Sequence, residues 1–223
     1  MQYVRVALLL LSVGLCGVGC SVERNSEESA LMLDDMFWSW YAPEPEAQMQ
    51  DVWTEQESVL VCSGSPLGYL YSNADFDDFV LTLEWRWPAD KEPGKGGVLV
   101  RMTGDHQIWP KSLEAQLNAG EAGDFWGLDG YPLIGPADRM RRLDHETFGK
   151  LTNLKKTRGL EKPPGQWNTY EIVAAGDTVT LTVNGIEVNR ATGCVPSQGR
   201  ICLTSEGSEI HFRRLKIVPL TRQ

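Results

Sequence analysis

From residue 51 onward the chain repeats with a period of two. Phe79, Leu81, Leu83, Trp85 and Trp87 alternate with Val80, Thr82, Glu84 and Arg86. Such alternation gives a strand one apolar and one polar face, a pattern that a helical period of 3.6 cannot hold. Val98, Val100 and Met102 alternate with Leu99 and Arg101, and Leu113, Ala115 and Leu117 alternate with Ser112, Glu114 and Gln116. Val179, Leu181 and Val183 alternate with threonines and run into Asn184-Gly185. That dipeptide favours a two-residue hairpin, because both turn positions need positive φ. Gly176-Asp177 marks a further turn after Tyr170 and Ile172, and residues 201–205 and 210–218 read as the last strands. No long amphipathic helix separates these runs. Short strands without crossover helices indicate an antiparallel sandwich or barrel. The stretch 51–219 is too long for an immunoglobulin-type domain of ~100 residues. An all-β, two-sheet antiparallel jelly-roll sandwich is therefore expected over 51–219, with Trp85, Trp87 and Trp167 in its core.

The beginning of the chain follows different rules. Arg5 precedes an apolar run from Val6 to Leu15 that is too short to cross a bilayer of ~30 Å. Residues 1–20 have the layout of a secretory signal. They end in Gly17-Val18-Gly19-Cys20, which resembles a lipoprotein box with Gly17 in place of the usual Leu. Lipidation at Cys20 and ordinary signal cleavage are the alternatives. Either one implies an exported protein: lipid-anchored in the cell envelope, or periplasmic or secreted. Residues 21–50 read as an acidic, then Pro-containing tether, whose aromatic stretch 36–41 could dock on the domain.

Lys and Arg total 21 against 30 Asp and Glu, a formal charge of -9. This balance repels phosphate backbones, so nucleic acid is not an expected partner and membrane contact is expected only through Cys20. Among the cysteines, Cys194 and Cys202 flank a loop with Pro196 and Gly199 and are the candidate disulfide pair, with buried free thiols as the alternative. Residues 119–165 are rich in Gly and Pro, carry Arg139, Arg141, Arg142, Lys150, Lys155, Lys156 and Arg158, and read as a long loop region.

Several stretches in matching order resemble the 3-keto-disaccharide hydrolase family, which includes 3-keto-glucoside lyase and hydratase domains. They include Glu84-Trp85-Arg86-Trp87-Pro88, Gly97-Val98-Leu99-Val100-Arg101, Trp109-Pro110-Lys111-Ser112-Leu113-Glu114-Ala115-Gln116, Gly123-Asp124-Phe125-Trp126 and Ser205-Glu206-Gly207. The resemblance spans about residues 51–218. It implies a concanavalin-like jelly roll acting on sugars oxidised at C3, supplied by a separate sugar 3-dehydrogenase. Two positions depart from the family pattern. Lys95-Gly96 stand where Asn and a small residue are usual, and Thr204 stands where Gln is usual.

Glu114 and Gln116 lie two apart, so a strand presents both on one face while Leu113, Ala115 and Leu117 face the core and hold the register. A carboxylate beside an amide can hold a sugar hydroxyl while moving a proton. With the chemistry the resemblance implies, Glu114 is the candidate base, and Arg101 or Lys111 the cation that stabilises the enolate oxygen. His106 is the alternative proton carrier. Trp109 and Trp126 are candidate platforms for a pyranose ring. Glu84 and Arg86 either line the cleft or satisfy each other. Asp124 either orients a hydroxyl or a cation, or caps a turn, and Glu206 is a further substrate-binding candidate. Asp105, Glu114 and Asp124 offer oxygen ligands to a divalent cation, although no dense acidic loop specifies one. The readings that compete with a 3-keto-glycoside enzyme are a non-catalytic carbohydrate-binding module, a two-carboxylate glycosidase and a structural surface lipoprotein. The glycosidase needs a second acid ~5–9.5 Å from Glu114, and none shares its strand face.

Overall fold

The computed structural model describes residues 36–221. The signal segment, Cys20 and residues 21–35 of the tether lie outside the described residues. In chain order the strands are β1 (Trp38–Tyr41), β2 (Trp53–Gln56), β3 (Val59–Cys62), β4 (Gly68–Ser72), β5 (Phe79–Arg86), β6 (Gly97–Thr103), β7 (Lys111–Gln116) and β8 (Phe125–Leu128). They continue as β9 (Met140–His145), β10 (Gly149–Leu154), β11 (Asn168–Ala175), β12 (Thr178–Val183), β13 (Ile186–Ala191), β14 (Arg200–Ser205) and β15 (Ile210–Pro219). A single helical turn, α1 (Met49–Val52), precedes β2.

The strands form two antiparallel sheets. One has eight strands in the order β1-β4-β14-β6-β7-β8-β10-β9, and the other seven in the order β13-β12-β11-β5-β15-β3-β2. The expected jelly-roll sandwich is what the chain forms. Phe79, Leu81, Leu83 and Trp85 of β5 meet Val98, Val100, Leu113 and Ala115 of the facing sheet in one core. Trp53, Trp85 and Trp87 are fully enclosed in it, each burial stabilising the fold by on the order of 1.5–3 kcal/mol. The sheet starts before residue 51. β1 pairs with β4 from Trp38↔Ser72 to Tyr41↔Tyr69, so residues 38–41 of the expected tether form an edge strand.

Residues 119–165 are also more ordered than their Gly and Pro content predicts, since β8, β9 and β10 lie within them. β9 is an edge strand of mostly exposed residues, Arg141, Arg142 and Asp144 among them. It therefore carries charges where an inner strand would show apolar alternation.

A second apolar cluster covers the outer side of the eight-stranded sheet, facing away from the seven-stranded one. It holds Tyr69, Leu99, Leu128, Leu151 and Cys202, with Tyr71, Trp109 and Trp126 packed against it. Met102 also belongs to this cluster, although plain alternation would put it beside Val98 and Val100. The cause is a bulge. The β6–β7 register shifts between Val100 and Thr103, and Arg101 adopts φ 52°. The extra residue exchanges the two faces, turning Arg101 inward and Met102 outward. Arg101 is fully buried, with its guanidinium 3.1 Å from Asp78 Oδ1 and donating to Val195 O at 3.0 Å.

Of the two alternatives for Cys194 and Cys202, the structure has the free thiols and not the disulfide. Both residues, and Cys62, are buried free thiols. Cys194 lies in the inter-sheet core, whereas Cys202 lies in the outer cluster, so the two are on opposite sides of the eight-stranded sheet. Burial pushes the Cys62 thiol up to about 12 and that of Cys194 up to about 11, which keeps both protonated and unreactive. Trp167 is the other correction to the expected core. It is half-buried on the outer side of the seven-stranded sheet, with the Arg86 and Arg213 guanidinium carbons 4.5 and 4.1 Å from its ring centroid.

Two measurements check this arrangement. Alkylation in denaturant without reductant, followed by peptide mass spectrometry, should find Cys62, Cys194 and Cys202 all modified; a cross-linked Cys194–Cys202 peptide would contradict the fold. Asp78→Ala leaves the Arg101 charge buried without its carboxylate. It should cost about 3–5 kcal/mol in urea unfolding; a loss below about 1 kcal/mol would place Arg101 at the surface.

Candidate active site

β7 enters the structure in the expected register. Leu113, Ala115 and Leu117 join the inter-sheet core, so Glu114 and Gln116 project from the outer side. Glu114 stands between Leu99 on β6 and Trp126 on β8, and only 5% of its surface is exposed. The carboxyl lies against Gly97 of the neighbouring strand β6. A Cβ added at Gly97 would sit 2.5 Å from Glu114 Oε1, so any larger residue there would displace the acid. Gln116 is held by Trp126, whose indole N–H donates to Gln116 Oε1 at 3.1 Å.

The second acid comes from a different part of the chain. Glu206, in the connection between β14 and β15, has its Oε1 buried with no hydrogen-bond partner among the described residues. It is close enough to act on Glu114 electrostatically. Burial first, and then the Glu206 charge, hold the Glu114 carboxyl well above the usual carboxylate range. Burial also raises Glu206, but the Thr204 hydroxyl and the Lys95 ammonium oppose that rise. Thr204 in turn accepts the Gly97 N–H at 2.6 Å, so it ties the Glu114 platform to the Glu206 support. Two enclosed carboxyls with unequal counter-charges titrate as a pair, and the member with more stabilising neighbours ionises first.

Glu206 opens onto a hollow of about 160 Å³ walled by Leu67, Gly68, Lys95, Ile108, Trp109 and Thr204. This is smaller than ordinary ligand clefts of ~300 Å³ and above, and suits one ring or part of one. Trp109 is a wall of the hollow, held from behind by Phe148 at 3.9 Å between ring centroids.

The other expected residues lie elsewhere. Arg101 is in the core, beyond reach of the hollow. Lys111 is exposed at the start of β7, on the strand side shared by Leu113 and Ala115 and opposite to Glu114. His106 sits in an aromatic box, with Nδ1 2.8 Å from the Tyr69 hydroxyl and its ring stacked on Tyr41. Burial, then Arg200, lowers its pKa. It lines a separate hollow with Asp75, Thr103, Gln198 and Arg200.

Glu84 and Arg86 belong to the seven-stranded sheet and line no part of this site. Glu84 is bound by Arg213 at 2.6 Å and Arg214 at 2.9 Å, and Arg86 Nε donates to His211 Nδ1 at 3.2 Å. Asp124 anchors a loop. It accepts the Lys156 N–H at 3.0 Å and has the Lys156 ammonium at 3.5 Å. Among the described residues no group of three His, Cys, Asp or Glu is placed to hold a metal ion, so Asp105, Glu114 and Asp124 do not converge on one.

The sequence reasoning missed the part played by Lys95, the cation beside Glu206, and the pairing of Glu206 with Glu114. Lys95 is one of the two departures from the family pattern, and Thr204 is the other; both turn out to flank the second acid.

Among solved structures, a protein from Parabacteroides distasonis assigned to the glycosyl hydrolases aligns at 19% identity and TM-score 0.56, covering 78% of this chain and 93% of its own. The carbohydrate-binding module CBM66 from Bacillus subtilis aligns at 13% identity and TM-score 0.58, covering 82% and 97%. The Bacillus licheniformis β-glucanase aligns at 13% identity and TM-score 0.53, covering 88% and 97%. These likenesses establish the fold. No curated protein matches the chain. The model of the 3-keto-alpha-glucoside-1,2-lyase-like domain matches residues 33–218, nearly the whole extent of the two sheets, and the chain belongs to that carbohydrate-active family.

Proposed function

We infer that this chain is an exported enzyme that cleaves 3-keto-glycosides, by elimination across C1–C2 followed by hydration or by overall hydrolysis. A ketone at C3 acidifies the C2 proton, because the carbanion left behind is an enolate. The observation that carries this reading is a buried Glu114 beside Glu206, which walls a hollow of about 160 Å³. One carboxylate of the pair removes the C2 proton, and the glycosidic oxygen leaves C1 with a proton. Lys95, beside Glu206 in the wall of the hollow, takes the enolate-stabilising role expected of Arg101 or Lys111. Trp109 offers an aromatic wall to the ring. A separate dehydrogenase supplies the C3 ketone. Export, with or without a lipid on Cys20, is supported by the signal-like first twenty residues.

One observation favours a second reading. Glu206 provides the second acid that a two-carboxylate glycosidase requires. Incubation with a 3-keto-disaccharide beside its unoxidised parent separates the readings. Selective consumption of the oxidised sugar is expected. Cleavage of the parent would favour the two-acid glycosidase, and binding without consumption a carbohydrate-binding module. In the same assay the double variant Glu114→Gln/Glu206→Gln should lose at least about 10²-fold in turnover, the contribution of a positioned base. Wild-type rates in that variant would remove the acid pair from the chemistry.

The raised pKa of Glu114 also makes a prediction for stability. In the unfolded chain Glu114 ionises near the ordinary ~4.3, whereas the folded chain keeps its proton to higher pH. Between those values the folded state binds more protons, so stability falls as pH rises and is greatest below the unfolded value. Glu114→Gln removes this loss. Its melting temperature should gain on the wild type as pH rises from 4.5 to 8, and parallel curves would contradict a buried, proton-retaining Glu114.

A further inference from the structure

We propose that the two acids divide the work: Glu206 takes and returns the substrate proton, and Glu114 is a positioning residue that holds the pair's own proton beneath it. This rests on the 3-keto-glycoside reading and goes beyond it by assigning the roles. Three observations carry it.

Glu206 is a wall of the hollow together with Lys95 and Trp109, whereas Glu114 is not among its walls. The Glu206 Oε1 is buried and has no partner among the described residues, so the acid that lines the hollow keeps an unused acceptor. Burying a polar atom unsatisfied costs roughly 1–3 kcal/mol, and a bound substrate proton would recover it. Finally, Glu114 cannot advance toward the hollow without losing its bed. Its carboxyl lies where a Gly97 side chain would be, and Gly97 is pinned by its N–H bond to Thr204.

The charges agree with this division. Lys95 and the Thr204 hydroxyl act on Glu206 and favour its carboxylate. The charged groups that act on Glu114 are Glu206 and Glu121, both acidic, and both disfavour its carboxylate. One proton on the pair therefore resides on Glu114, and the Glu206 carboxylate faces the substrate. In the elimination, the C2–H bond breaks and its proton goes to Glu206. The electron pair forms the enolate of the C3 ketone, whose collapse makes the C1–C2 double bond and breaks the bond from C1 to the glycosidic oxygen. That oxygen takes the proton from Glu206, which returns to carboxylate. No other reactant is needed, and Glu114 stays neutral throughout.

Single variants of the full chain, assayed on a 3-keto-glucoside across pH, test the division. Glu206→Gln should lose about 10²-fold or more in kcat and should fail to exchange the C2 hydrogen in heavy water. Glu114→Gln, whose neutral amide mimics the protonated acid, should keep kcat within about tenfold and the acid limb of the wild-type profile, while losing the alkaline limb set by Glu114 ionisation. Glu206→Asp, which keeps the carboxyl but draws it back, should retain the two-limbed profile at reduced kcat. That variant guards against a folding failure of the amide. The opposite pattern, with Glu114→Gln inactive and Glu206→Gln active, would overturn the division while leaving the 3-keto-glycoside reading intact. Wild-type protein that neither consumes the 3-keto-glucoside nor exchanges its C2 hydrogen would overturn both.

Discussion

Placing two carboxyl groups in one enclosed corner of a sheet is costly, and the candidate site is organised around that cost. Ionised side by side away from water, Glu114 and Glu206 would repel each other and both lose their hydration. The fold resolves the conflict by treating them unequally. Glu114 is laid over Gly97 between Leu99 and Trp126, and the charged groups that act on it among the described residues are both acidic. Glu206 is given a hydroxyl and an ammonium, Thr204 and Lys95. A pair of like groups in unlike surroundings is the arrangement by which an active site keeps one acid protonated and one ionised near neutrality.

The two layers of the sandwich serve this corner in different ways. The inter-sheet core fixes the register of β7, because a one-residue slip would drive Glu114 in among Trp85 and Ile172 and expose Leu113. The outer cluster then covers Glu114, with Leu99 and Trp126 on either side of it. Sequence-distant segments complete the hollow: the β5–β6 connection brings Lys95, the β6–β7 connection Trp109 and the β14–β15 connection Glu206.

Local regularity decides which of these features could be read in the sequence. Glu114 and Gln116 were legible because β7 is a regular strand whose apolar residues leave one choice of face. Arg101 misleads for the converse reason. Nothing in Val98-Leu99-Val100-Arg101-Met102 announces a bulge, and the bulged position is filled by arginine rather than glycine, so alternation points its charge to the wrong side. Trp167 stands between Gln166 and Asn168, with no alternating run to assign its face, and two arginines from neighbouring strands claim its ring. The meeting of Glu206 with Glu114 depends on β14 lying beside β6, a pairing between strands about a hundred residues apart that no local pattern encodes. Lys95 and Thr204 were visible only as departures from a family pattern, and their place beside Glu206 is set by the fold.

The most direct test of an enclosed, unequal acid pair is a carbon-13 NMR titration of the glutamate carboxyls in the wild type and in Glu206→Gln. One carboxyl, assigned to Glu114 by its absence in Glu114→Gln, should titrate well above the ordinary range in the wild type and move down when the neighbouring charge is removed. A Glu114 signal that titrates among the surface glutamates, and does not respond to Glu206→Gln, would contradict it.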